Sequence, residues 1–229
     1  MNEEYDPSEH QYVPQIELLN EDCMVVMARY PDNYFDLACV DPPYGIGEGK
    51  SKESRNRFAT NNHVDKDWDS SPPSMAYFLE LNRVSKNQII WGANHFIDNL
   101  PCKSSSPCWI VWDKDNGKCD FADCELAYTS FKTAVRKFKF QWSGMLQADM
   151  KNKEVRIHPT QKPMRLYQWL LTNYAKPTDR ILDTHLGSAS SAIAAHYFGC
   201  DFVGMEIDKD YYDAACKRFD NETRQKTLI

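Results

Sequence analysis

No apolar run in this 229-residue chain approaches the ~20 residues needed to cross a bilayer; the longest are CMVVM and QIIW. A membrane-spanning protein is excluded. The first ten residues, MNEEYDPSEH, lack the basic and then apolar character of an export signal, so the cytoplasm is the expected compartment. The eight cysteines are then expected as reduced thiols. An excess of positive charge is missing too: 27 Lys and Arg against 33 Asp and Glu leave a net charge of -6. That excludes a protein that coats nucleic acid non-specifically, because such binding comes from neutralising many phosphates. Cys102, Cys108, Cys119 and Cys124 lack the C-x2-C pairing of common structural zinc sites, and no metal is expected. Internal repeats, low-complexity tracts and a full G-x-G-x-x-G are also absent.

What is present is an alternation of strand-like and helix-like segments. Residues 16–19 read as a strand, 23–29 as a helix with Asp22 at its N-cap, and 34–40 as a strand. A polar stretch at 47–71, rich in Lys, Ser, Arg and Asn, reads as a mobile loop. A helix at 74–84 and a buried strand at 87–91 follow. From 101 to 157 the pattern becomes short β-like runs with interleaved aromatics. Regular alternation returns with a helix at 163–174, a strand at 180–183, a helix at 189–198, a strand at 202–207 and a helix at 211–224. One α/β domain over 1–229, built on a doubly wound sheet, is the expectation.

Three motifs carry chemistry. Asp41-Pro42-Pro43-Tyr44 directly follows an apolar strand, where an open α/β sheet places its ligand. Two consecutive prolines stiffen the backbone and remove both N–H groups, so the Pro42 carbonyl can act as an acceptor beside the Asp41 carboxylate. Two adjacent acceptors suit an amino group, and Tyr44 supplies a flat face for a planar base. The bland reading is a proline turn; at ~5% per residue type the tetrapeptide arises by chance in roughly one such chain per thousand. The second motif runs from Asp183 through Thr184, His185, Leu186, Gly187, Ser188, Ala189 and Ser190, a strand passing through a small-residue turn into a helix. Glu206, followed by Ile207, ends the next strand about twenty residues on, the spacing at which an acid meets ribose hydroxyls. The bland reading here is an ordinary strand-to-helix connection. In the third, His158-Pro159-Thr160-Gln161-Lys162-Pro163, Pro163 suits the first helical position, and the free N–H groups there plus Lys162 make an anion site. A capped helix start with a solvated lysine is its bland counterpart.

Together the three motifs resemble S-adenosylmethionine-dependent DNA amino-methyltransferases of the permuted beta class, in which D-P-P-Y precedes H-P-T-Q-K-P and the cofactor loop. The resemblance implies a Rossmann-like, mixed, seven-stranded-type methyltransferase sheet, with a small β-rich target-recognition insertion at 101–157. It implies site-specific methylation of adenine N6 in double-stranded DNA, on a base flipped from the helix. Carried over, Asp41 and Pro42 hold the amino group, Tyr44 stacks on the base, and Asp22 with the Cys23 N–H reads the cofactor adenine. Glu206, with Ile207 beside it, takes the ribose. Asp183 and Gly187, within the turn completed by Leu186, Ser188, Ala189 and Ser190, flank the methionine part, and Thr160 with Lys162, in the segment of His158 and Gln161, holds its carboxylate. The family's usual D-P-F-x-G-S-G reads here with Ala189 for the second glycine. A homodimer and a cognate restriction endonuclease are compatible with this family, although no residue specifies either.

Lys132, Arg136, Lys137 and Lys139 lie among Phe131, Phe138, Phe140 and Trp142 and form the expected DNA face of an otherwise acidic chain. Lys50, Lys52, Arg55 and Arg57 form a second basic group in the 47–71 loop. His95, His185 and His196 read as structural. No cysteine follows a proline at a strand-end acid, which argues against a covalent cytosine-C5 mechanism. Cytosine-N4, protein-glutamine and RNA methylation, a non-catalytic DNA-binding subunit and a dinucleotide enzyme are the competing readings.

Overall fold

The computed structural model describes residues 12–47, 69–101, 106–117, 122–143 and 146–224. Of the 47–71 stretch only the ends fall among these, joined by the Gly47 N–H donating to the Asp69 carbonyl at 3.1 Å. Lys50, Lys52, Arg55 and Arg57 lie outside the described residues.

In chain order the strands are β1 (Ile16–Leu19), β2 (Leu37–Val40), β3 (Gln88–Trp91), β4 (Trp109–Asp113), β5 (Cys124–Thr129), β6 (Arg136–Lys139), β7 (Trp142–Ser143), β8 (Leu146–Gln147), β9 (Arg180–Asp183) and β10 (Asp201–Met205). The helices are α1 (Cys23–Met27), α2 (Met75–Val84), α3 (Met164–Tyr174), α4 (Ser190–Phe198) and α5 (Lys209–Thr223). Eight strands form one sheet in the order β1-β10-β9-β2-β3-β5-β4-β6, and β7 pairs with β8 apart from it. The run from β1 to β3 is parallel, β5 is antiparallel to both β3 and β4, and β6 is parallel to β4.

The central strands are apolar without alternation because both faces are covered. Leu37, Cys39, Ile89, Trp91 and Ile181 pack with residues of α3, α4 and α5. Ala38, Val40, Ile90 and Leu182 point the other way, onto α1 and α2. The 101–157 stretch, expected as a small β-rich target-recognition insertion, contributes β4, β5 and β6, which continue the main sheet past β3. Pairing with β5 satisfies backbone groups that β3 would otherwise leave exposed at an edge. α3 begins at Met164, with Pro163 as its N-cap and not its first helical residue.

From β2 the chain proceeds to β3 on one side, while β9, β10 and β1 lie on the other. That is a topological switch point, where the loops leaving the carboxyl ends of neighbouring strands diverge and open a crevice. Asp41 follows β2 and Asp183 ends β9, so two of the three motifs meet there.

Candidate active site

Asp41 is held from both sides. Tyr44 donates its hydroxyl to Asp41 Oδ1 at 2.7 Å, and the Lys162 ammonium lies 2.5 Å from Asp41 Oδ2. Lys162 Nζ also donates to the Tyr44 hydroxyl at 3.2 Å and sits 3.1 Å from Glu125 Oε2. The other Glu125 oxygen pairs with Lys114 at 2.5 Å. Two lysines and two carboxylates therefore form one compact cluster, with Lys162 buried and lying over the rings of both Tyr44 and Trp91. Burial pushes Asp41 above its ordinary range against the pull of Lys162. For Glu125, burial also acts upward, but Lys162 and Lys114 outweigh it and hold the carboxyl down at about 2. Burial opposes the charge on Lys162, yet Asp41 and Glu125 keep its pKa above the ordinary value.

The backbone after Asp41 is fixed by Asp69, whose Oδ1 accepts the N–H groups of Tyr44 at 2.7 Å and Gly45 at 2.8 Å. The Tyr44 ring stacks on His95 with centroids 5.1 Å apart and fits against Gly92, where a Cβ would meet the ring at 2.0 Å. A cavity of ≈ 600 Å³ opens over Asp41, Pro42 and Tyr44, with Trp112, Trp142 and Arg156 also on its walls.

Across the crevice, Asp183 accepts from Ser191 Oγ at 2.6 Å and from the His185 N–H at 3.1 Å; burial raises its pKa to about 7. Burial keeps His185 neutral by lowering its pKa to about 4. Glu206 accepts the Gly187 N–H at 3.0 Å on one oxygen and the Asp208 N–H at 2.9 Å on the other. Ile207 beside it is exposed. Gly187, at φ +53, turns the chain beside the His158 ring. Asp22 caps α1 by accepting from the N–H groups of Met24 and Val25.

In the third motif, Lys162, expected to hold a cofactor carboxylate, lies between two carboxylates of the protein itself. The anion at the start of α3 is likewise internal: Met164 N–H donates to Glu154 Oε1 at 3.0 Å. Arg218 pairs with the other Glu154 oxygen at 2.7 Å and ties it to the turn before α4 through the Ser188 carbonyl and Ser190 Oγ. Gln161 is buried and spends its side chain on the backbone of Ile157 and Val155, while Thr160 Oγ1 lies 3.2 Å from His158 Nδ1. Ala189 takes the left-handed φ of +61 as N-cap of α4 and is fully buried, so its Cβ packs into the core.

The basic group is divided by the pleat of β6. Arg136 and Phe138 share one face and Lys137 and Lys139 the other, and the latter two pair with Asp113 and Asp115. Lys132 is exposed. Glu125 and Lys114 escaped the sequence reading because a lone acid in a strand and a lone lysine after one carry no local signature. They meet only through the register that sets Glu125 opposite Trp112.

Residues 82–217 match the family described as DNA methylase, designated N6_N4. The chain belongs to that family. The match includes Lys162, Asp183 and Glu206, while the Asp41 motif lies upstream of it. The chain is also similar to the Type II methyltransferase M.HinfI of Haemophilus influenzae, with 25% identity over 88% of this chain and 67% of the relative. Among solved structures, the complex of M1.HpyAVI with SAM matches at a TM-score of 0.54 and 19% identity, covering 89% of this chain and 100% of that one. The PvuII DNA methyltransferase, cytosine-N4-specific, matches at 0.59 and 12% identity over 95% and 89%. As a member of the DNA methylases, the protein is a methyltransferase that uses S-adenosylmethionine. The crevice suits that cofactor. Each Glu206 oxygen accepts one backbone N–H and keeps a lone pair for a ribose hydroxyl, and Gly187 places no side chain over the turn.

Proposed function

We propose that this DNA methylase transfers a methyl group to the N6 amino group of adenine in a specific duplex sequence, on a flipped base, and that it belongs to the permuted beta class. Its motif order supports the class: Asp41 to Tyr44, then His158 to Pro163, then Asp183 to Ser190. The observation that carries the reaction is the Asp41 and Pro42 acceptor pair, which lines a cavity beside the cofactor crevice.

S-adenosylmethionine supplies an electrophilic methyl group on a sulfonium. The adenine amino nitrogen is a weak nucleophile because its lone pair is delocalised into the ring. Accepting its two hydrogens at the Asp41 carboxylate and the Pro42 carbonyl favours a pyramidal nitrogen with its lone pair free. When bound, the cofactor would supply the methyl group for the N–C bond with its thioether as the leaving group, and the surplus proton of the nitrogen would leave by way of Asp41. Tyr44 remains a neutral phenol, since burial, Asp41 and Glu125 all raise its pKa. On the cofactor side, Glu206 takes the ribose, Asp22 and the Cys23 N–H the adenine, and Asp183, Gly187 and Thr160 the methionine end.

Cytosine N4 is the second reading, favoured by the likeness to the PvuII cytosine-N4-specific structure; the carboxylate at position 41 favours adenine. Mass spectrometry of nucleosides from the DNA of a host expressing the chain separates them, and finding neither N6-methyladenine nor N4-methylcytosine sinks both. Asp41→Ala is expected to lower kcat by at least ~100-fold with cofactor affinity within several-fold. Because Asp41 must be ionised to accept, kcat should fall as pH drops through a value above its ordinary 3.8.

A further inference from the structure

We infer that Glu125 is a positioning residue for methyl transfer: it counterbalances Lys162 and draws this ammonium off Asp41 as the base amino group engages. The inference rests on the reading of Asp41 as the acceptor for that group.

Lys162 has three N–H donors, and its surroundings offer three acceptors: Asp41 Oδ2 at 2.5 Å, the Tyr44 hydroxyl at 3.2 Å and Glu125 Oε2 at 3.1 Å. The third contact is an ion pair outside good hydrogen-bond geometry, in which Glu125 Oε2 and the ammonium attract mainly by charge. A buried carboxylate oxygen so placed gains a well-formed hydrogen bond if the ammonium swings onto it. Lys162 is the donor beside it, and only a small shift of Nζ separates the two arrangements. Glu125 cannot move toward Asp41 in exchange, because its other oxygen is anchored by Lys114.

Charge decides which arrangement suits the reaction. Asp41 and Glu125 against Lys162 and Lys114 sum to zero. Methyl transfer from a sulfonium donor would leave positive charge on the amino nitrogen held at Asp41. An ammonium on Asp41 weakens the acceptor that nitrogen needs and repels the charge it gains. Moving Lys162 onto Glu125 frees Asp41 Oδ2 for the amino hydrogen and keeps the ammonium neutralised. Without the Glu125 carboxylate, Lys162 keeps Asp41 as its one anionic partner beside the neutral Tyr44 hydroxyl, and the buried cluster carries one extra positive charge.

The experiment compares wild type, Glu125→Gln, Glu125→Asp and Glu125→Gln combined with Lys162→Met, using tritiated S-adenosylmethionine and genomic DNA from an unmethylated host. Glu125→Gln is expected to lower kcat at least tenfold, with KM for DNA and cofactor affinity by calorimetry within threefold. The acid limb of its kcat profile should move to lower pH, because Asp41 is left with Lys162 alone. Adding Lys162→Met should raise kcat above that of Glu125→Gln, and Glu125→Asp, which keeps the charge, should stay within threefold of wild type. Wild-type kcat in Glu125→Gln overturns the inference, as does a double variant worse than the single one. If Glu125→Gln fails to fold by circular dichroism, Glu125→Asp decides, and a tenfold loss there with an unmoved acid limb overturns it as well. A wild-type protein that methylates no DNA overturns the underlying reading instead, so the two failures are distinct.

Discussion

At the scale of single residues, the site depends on positions whose conformation or charge is set by burial. Gly92 takes φ +68 and leaves space that the Tyr44 ring fills. Gly92→Ala is expected to displace that ring, cost about 1 kcal/mol in backbone strain alone, and reduce kcat far more than cofactor affinity. Urea unfolding with single-turnover kinetics checks it, and an active, fully stable variant would refute it. Asp183 keeps its proton to about pH 7 when folded, against an ordinary 3.8. Between those values the unfolded chain binds fewer protons than the native one, so this group makes stability fall as pH rises through the window and level off above it. Asp183→Asn has no such proton to release. Its stability relative to wild type should rise by a few kcal/mol between about pH 4 and 7, at roughly 1.4 kcal/mol per pH unit, and then stay flat. Parallel urea titrations across that range would contradict this.

Among the elements, the start of α3 shows how a helix terminus that reads as a ligand site can be satisfied from within. Glu154 accepts from its first N–H, and Arg218 on α5 clamps Glu154 to the Ser188 and Ser190 turn. Both members of that pair are largely buried. Removing one leaves an uncompensated charge, so Arg218→Ala should destabilise the protein by about 3–5 kcal/mol and loosen cofactor binding through the turn. Thermal unfolding and calorimetry test both effects, and an unchanged midpoint would mean that the clamp contributes nothing. The period of the apolar residues located nearly every helix and central strand, because helices and sheets bury residues at fixed intervals. It could not assign β4, β5 and β6 to the main sheet, since strand pairing joins residues far apart in sequence.

For the whole molecule, the sheet fixes where DNA can approach. The site lies at the carboxyl ends of the parallel strands, and β6, parallel to β4, ends there at Lys139, whereas Arg136 starts the strand at the far end. Lys139→Ala should therefore weaken DNA binding and reduce the slope of log K against log salt by about one, while Arg136→Ala leaves the slope unchanged. Equal effects from both would put the DNA on a different face. The sequence by itself determined the α/β alternation, the Asp41 to Tyr44 acceptor motif and the strand-end acids Asp183 and Glu206. All of these are written in neighbouring residues, through side-chain period or through the stiffness of consecutive prolines. Only the tertiary structure decided that Lys162 lies between Asp41 and Glu125, that Glu154 accepts the first N–H of α3, and that the basic residues of β6 part to opposite faces. Each of these outcomes depends on which distant charge burial brings within a few ångströms, and in a low-dielectric interior that pairing outweighs any local preference.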